Sequence, residues 1–251
     1  MKIETTTDKF LGGRLIIRQP KNGYRAGIDP VLLAASIQAK PGESILEIGC
    51  GVGVASLCLA QRIDGLQIMG LEIVPQIAQL ARDNARENRL VIKVLTGDIA
   101  HMPPNLRNLQ FDHVMANPPY FDRRHGSEAT SILKERSKGE HTPLSAWTQA
   151  AGRRVKPKGF VHFIFRTERL PELLQALPSN LGSVEVIPLV PRSQKPSGLM
   201  ILSARKSGRA SFKLLPEIVM HKGKKHSKDQ PDYTLHLISV LRNGHALIKD
   251  Q

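Results

Sequence analysis

Residues 45–56 read ILEIGCGVGVAS, and this stretch restricts the fold more than any other. An apolar run enters it, glycines stand at 49, 51 and 53, and an apolar helical pattern leaves it. Glycines at alternate positions let the backbone turn sharply and let a ligand approach the main chain closely. A strand, a glycine loop and a helix in that order open a unit of a parallel sheet covered by helices. A dinucleotide fingerprint would need glycine at position 54, which is Val54, and a phosphate loop would need Gly-Lys-Ser/Thr, which is absent. Glu47 at the loop's start disfavours a phosphate and favours a cation. Alone, the stretch could also be a plain tight turn.

The rest of the chain repeats the alternation. Ser44–Ile48, Gln67–Leu71, Val91–Thr96 and Phe111–Ala116 read as strands, and Val54–Arg62 and Pro75–Arg89 as helices. Further on, Leu144–Val155 reads as a helix, Gly159–Phe165 as a strand and Arg169–Leu177 as a helix. Val184–Val190 and Leu199–Ala204 have only a short link between them and are expected to pair antiparallel at the sheet edge. Before the glycine loop, residues 12–27 read as a hairpin with Arg14–Gln19 as a strand and Pro20-Lys21-Asn22-Gly23 as its turn. Asp29-Pro30 reads as an N-cap followed by proline at the first helical position. Residues 122–143 carry no period and read as a mobile loop.

Three more features fall at strand ends. Glu72 follows the second strand, where an acid is placed for ribose hydroxyls, though a Glu beginning the next helix is the plainer reading. Asp98, in Thr96-Gly97-Asp98-Ile99, could accept from an adenine amino group or simply make a turn. Asn117-Pro118-Pro119-Tyr120 ends the fourth strand with a stiff backbone between an amide and an aromatic ring. Open α/β sheets bind ligands at the carboxyl ends of their strands, and all four features lie there.

Together EIGCGVG, Glu72, Asp98 and NPPY resemble the class I S-adenosylmethionine-dependent methyltransferases, with NPPY marking those that methylate planar nitrogens. QPKNGYRAGIDPVLLAAS and the stretch from NPPYF to KERSKGEHTPL are similar to the bacterial tRNA(Val) adenine-37 N6-methyltransferase family. The resemblance implies an α/β, Rossmann-like fold: a mostly parallel seven-stranded sheet with an antiparallel edge hairpin and helices on both faces. It also implies a division into a cofactor-covering segment 1–42, a methyltransferase core 43–206 and a basic extension 207–251. The cofactor would be S-adenosyl-L-methionine, held by Glu47, Gly49, Cys50, Gly51, Glu72, Ile73, Asp98 and Ile99, with Tyr24, Asp29 and Asn117 alongside. Asn117 and the Pro118 carbonyl would grip the substrate amine and Tyr120 would stack on its base. Pro119, Phe121, Arg123 and Arg124 would complete the substrate site. No metal is implied.

Composition bears on the partner. The net charge is +14 and the pI about 10.1, which favours a polyanion, RNA first and tRNA among RNAs. Residues 9–25 hold five cations without an acid, and residues 205–228 hold eight against Glu217, which suggests a basic rim. There is no signal-peptide core and no membrane-length apolar run, so a cytoplasmic protein is expected, a monomer favoured. Cys50 and Cys58 are too few for a disulfide framework. Three other functions share much of this pattern: guanine N2 methylation of ribosomal RNA, glutamine N5 methylation of a protein, and RNA binding without catalysis. The glutamine enzymes resemble one another in carrying a helical amino-terminal domain, whereas only about forty residues precede this glycine loop.

Overall fold

The computed structural model describes residues 3–119, 142–223, 225 and 232–248. Tyr120, Phe121, Arg123, Arg124 and nearly all of the expected 122–143 loop lie outside them. The chain opens with an antiparallel hairpin, β1 (Thr5–Phe10) on β2 (Leu15–Pro20). This corrects the expected hairpin. Its turn is Leu11–Gly13, where Gly12 and Gly13 take φ of +68° and +96°, and the β-branched run Thr5–Thr7 supplies the partner strand. Pro20–Gly23 instead leads into α1 (Asp29–Ser36). There the N-cap position belongs to Ile28 and no side chain caps the helix, so Asp29 is not the expected N-cap.

The main sheet follows: β3 (Ser44–Ile48), α2 (Val54–Arg62), β4 (Gln67–Glu72), α3 (Pro75–Glu87), β5 (Ile92–Thr96), α4 (Pro104–Arg107) and β6 (Phe111–Ala116). After the undescribed stretch come α5 (Leu144–Arg154), β7 (Val155–Arg166), α6 (Leu170–Ala176), β8 (Leu181–Val190) and β9 (Leu199–Lys206). Strands β3 to β7 run parallel, and β9 lies antiparallel between β7 and β8. The chain then adds β10 (Lys213–Leu214) and β11 (Ile218–Val219) alongside β8, so nine strands form one sheet. The seven expected strands are all present. The two short ones cover β8, which would otherwise be an open edge.

Side chains alternate across each strand and so divide the core in two. Ile45, Ile68, Met115, Ile164 and Ile201 face a cluster shared with α1, α2, α3 and α7 (Leu235–Asn243). Leu46, Leu71, Val114, Phe163 and Leu202 face a second cluster shared with α4, α5 and α6. Each fully buried Phe or Leu contributes about 1.5–3 kcal/mol, so both faces are pinned and the strand register is fixed. β7 begins four residues before the expected strand. Its register on β6 shifts between Phe111 and His113, and Lys158 sits there at φ +66°.

Candidate functional site

Sheet register draws the motif residues into one line. Ile48 pairs with both Leu71 and Ala116, and Glu72 pairs with Thr96. Gly97–Asp98, Glu72, Gly49 and Asn117 therefore stand at the ends of four adjacent strands, about 14 Å across at the usual strand spacing. The Leu71 carbonyl accepts from both Gly49 N–H (2.8 Å) and Cys50 N–H (3.0 Å), which fastens the glycine loop to β4. Gly97 N–H donates to the Glu72 carbonyl at 2.9 Å and fastens β5 likewise.

Within the loop, a Cβ added to Gly49 would lie 2.6 Å from the ring of Trp147, at φ +68°. Glycine is required there on both counts. At Gly51 an added Cβ would meet nothing within 4 Å, so the main chain faces open space. The Cys50 side chain turns underneath and fills the space left by Gly70, where a Cβ would approach its Sγ to 2.7 Å. Burial pushes that thiol pKa up, and only the backbone of Cys50 is available above the loop.

Two buried carboxylates lie beneath this surface. Glu47 is 3 % exposed; its Oε2 accepts from Ser56 N–H (3.0 Å) and Ser56 Oγ (2.5 Å). Burial pushes its pKa up to about 8, with the charge of Glu72 adding to the effect. Glu72 accepts from Gly51 N–H and Val74 N–H, both at 2.9 Å, and burial raises its pKa too. Among the described residues neither acid has an ion-pair partner. A carboxylate has about four lone-pair sites, so Glu72 keeps acceptor capacity beyond its backbone bonds. Ile73 beside it is 49 % exposed, an apolar face at the site's edge. Asp98 is engaged locally: Oδ1 accepts from Ala100 N–H at 2.9 Å and Oδ2 lies 3.6 Å from His101. Ile99 packs partly into the second core cluster.

At the other end of the line, Asn117 Nδ2 donates to the Tyr24 hydroxyl at 3.4 Å, joining residues 93 apart in sequence. Among the described residues the Asn117 Oδ1 accepts no hydrogen bond. Desolvation, then the charges of Asp29 and Glu47, push the Tyr24 phenol up to about 12, so it stays protonated. Pro118 is buried and Pro119 half-buried.

The methyltransferase small domain family model matches residues 26–138. A tRNA1(Val) (adenine(37)-N6)-methyltransferase of Porphyromonas gingivalis is 32% identical over 199 residues, 72% of this chain and 76% of that protein. The chain belongs to the tRNA1(Val) (adenine(37)-N6)-methyltransferase family. A protein of the same name from Actinobacillus succinogenes is 27% identical over 93% of this chain and 95% of its own length. A crystal structure described as a predicted O-methyltransferase of Agrobacterium tumefaciens superposes with a TM-score of 0.70 at 23% identity, covering 88% of this chain and 98% of its own. The fold is thus the Rossmann-like class I methyltransferase fold.

Seen as a member of that family, the chain holds two residues that sequence reading missed. Trp147 closes over Gly49 from α5. Asn84, fully buried, joins Val52 of the loop to β2 through bonds to Val52 O (3.0 Å), Arg18 O (3.0 Å) and Arg18 N–H (2.9 Å). A polar residue on the apolar stripe of α3 was the available signal. The expected basic rim is weakened at the amino terminus, where three of the five cations pair with acids. Arg18 pairs with Glu87 (2.5 Å), Lys21 with Glu4 (2.7 Å) and Arg25 with Asp8 (2.5 Å). The acids come from outside the 9–25 window, so a local charge count overstates its field. Among the described residues no group of three or more His, Cys, Asp or Glu could hold a metal, and no helix is long and apolar enough to cross a membrane.

Proposed function

We propose that the chain transfers the methyl group of S-adenosyl-L-methionine to the exocyclic N6 amine of an adenosine in RNA, in the anticodon loop of a tRNA. The observation that carries this is Asn117-Pro118-Pro119 standing beside the glycine loop at the ends of neighbouring strands, in a chain of this family. The residues fit the cofactor. Two buried acids that have no partner cation among the described residues suit a ligand carrying positive charge, Glu72 has acceptor capacity for hydroxyls, Ile73 offers an apolar face, and the main chain at Gly51 is open. Glu47, Gly49, Cys50 (by its backbone), Gly51, Glu72 and Ile73 would hold it. Asp98, Ile99, Tyr24 and Asp29 would line its edges. Asp98 contributes less by side chain than expected, because its own turn occupies Oδ1.

When bound, S-adenosyl-L-methionine supplies an electrophilic methyl group on a sulfonium. The protein's task is then orientation of a weakly nucleophilic aromatic amine. Asn117 Oδ1 and the Pro118 carbonyl accept its two hydrogens and stabilise the positive charge that develops on nitrogen. The Tyr24 hydroxyl ties the Asn117 side chain to the amino-terminal segment. Neither proline has an N–H, so nothing on that hinge competes as a donor. By the family resemblance Tyr120 would stack on the extruded base, an interaction of about 1–3 kcal/mol at comparable platforms, with Pro119, Phe121, Arg123 and Arg124 as its further contacts. A loop nucleotide is less costly to extrude than a paired one, which suits an anticodon loop.

The test is mass spectrometry of nucleosides from small RNA incubated with the protein and labelled S-adenosyl-L-methionine. Labelled N6-methyladenosine in the tRNA fraction is expected. Label in methylguanosine of ribosomal RNA, or only in added protein, would overturn the substrate assignment.

A further inference from the structure

The end of the sheet opposite the candidate site carries a concentration of positive charge that methyl transfer does not use. Arg153 and Arg154 end α5, Lys158 sits in the irregular start of β7, Arg205 and Lys206 end β9, and Arg209 follows. Residues some fifty apart in sequence are brought together by the β7–β9 pairing, in which Phe160 faces Arg205. Among the described residues no carboxylate lies within ion-pair distance of these six. Among the described residues Lys156 pairs nearby with Asp112 at 2.8 Å, and His113, stacked on Phe160, contacts Glu43 at 3.1 Å.

The hydrogen bonds of the cluster go to carbonyls instead. Arg154 donates to Leu106 O (3.2 Å) and Leu109 O (3.1 Å), Lys206 to Val155 O (2.8 Å), and Arg205 to Lys158 O (3.0 Å). Carbonyls satisfy the N–H groups but leave the charge uncancelled. Burial and like-charge neighbours push Arg154 and Lys206 down in pKa, so the cluster is held together against repulsion. The dipole of α5 favours Arg153 and Arg154 at its carboxyl end, but it does not reach Lys158, Arg205 or Arg209. An aromatic ring lies among the cations: Phe160 is 38 % exposed, with the Arg205 guanidinium 5.5 Å above its centre. Flat cationic and aromatic surfaces side by side suit nucleic acid better than a purely anionic partner.

We infer that this edge is a second RNA-contact surface, which holds the phosphate backbone of a part of the substrate RNA remote from the methylated nucleotide. The inference rests on the RNA reading above. Sheet register sets the remoteness. Phe160 pairs with His113, four residues before Asn117, so the cluster begins about 13 Å down the strands from the site and extends away from it. One extruded nucleotide cannot span both, whereas a folded RNA can.

The experiment compares the wild type with a triple variant, Arg153→Gln, Lys158→Gln and Arg209→Gln, chosen because these side chains are exposed. Binding of a full-length tRNA transcript and of its isolated anticodon stem–loop is measured across a salt series, with methylation rates on both. For the full-length RNA, Kd should rise about tenfold near physiological salt, and the slope of log K against log salt should fall by about 2–3. The rate at saturating RNA should stay unchanged, as should stem–loop binding and the melting temperature. Equal Kd and slope for the full-length RNA would overturn the inference, and so would an equal loss on the stem–loop. Failure of the function itself would appear separately, as a wild type that methylates neither RNA.

Discussion

Glu47→Gln should remove the pH dependence of one part of this protein's stability. Glu47 is 3 % exposed and, among the described residues, bonded only to Ser56, and its pKa is raised from 4.5 to about 8. Between those values the folded chain binds a proton that the unfolded chain has released. Stability from this group is therefore fully present below about pH 4.5, is lost progressively as pH rises to the folded value of about 8, and is gone above it. Carried across the whole window, the shift is worth about 4–5 kcal/mol. An amide at this position does not titrate and can still accept from Ser56. Urea denaturation of both proteins from pH 5 to 9 tests this. The two should be about equally stable at pH 5, and the variant should lead by about 3–5 kcal/mol at pH 9. Glu72 is raised by burial in both proteins, and burial lowers His113 and His162 in both, so the difference between the curves isolates Glu47. A cationic ligand favours the ionised acid, so S-adenosyl-L-methionine affinity should rise with pH in the wild type more than in the variant. Parallel stability curves, or a variant less stable at pH 9, would refute the reasoning.

Three further outcomes are expected. Asn117→Ala should lower the methylation rate at least a hundredfold and leave S-adenosyl-L-methionine affinity by calorimetry within about threefold, because the lost acceptor acts on the developing charge. Tyr24→Phe removes one 3.4 Å hydrogen bond; single-turnover rates should fall about two- to tenfold, as a modest bond of about 0.5–1.5 kcal/mol implies. Gly49→Ala forces a Cβ against Trp147 at φ +68° and should cost about 2–4 kcal/mol by urea denaturation. Adding Trp147→Phe should recover only the steric part of that loss.

How much of this was legible beforehand differs from element to element. Helix Val54–Arg62 and strand Phe111–Ala116 match their sequence reading end to end. Apolar periodicity and glycine or proline punctuation mark such ends within a few residues of chain. Pro20–Gly23 has the composition of a turn but leads into α1, whereas the hairpin turns at Gly12–Gly13, where both glycines take positive φ. Helix α7 went unread, although Thr234 caps its start and Gly244 ends it at φ +70°.

Sequence by itself determined the order of the elements and the location of each motif at a strand end, because both depend on local spacing and backbone chemistry. Tertiary structure alone decided who meets whom. The bond between Tyr24 and Asn117, Trp147 over Gly49, and Asn84 between the loop and β2 each join segments that no local pattern relates. Charge shows the same division. The basic stretch 205–228 reads as one run, but Arg205, Lys206 and Arg209 lie at the far edge of the sheet, while Lys222 follows β11 at the end that carries the site. Three of the five cations of 9–25 are paired with acids from outside that window. Electrostatic fields depend on distance through space, and only the folded chain sets those distances.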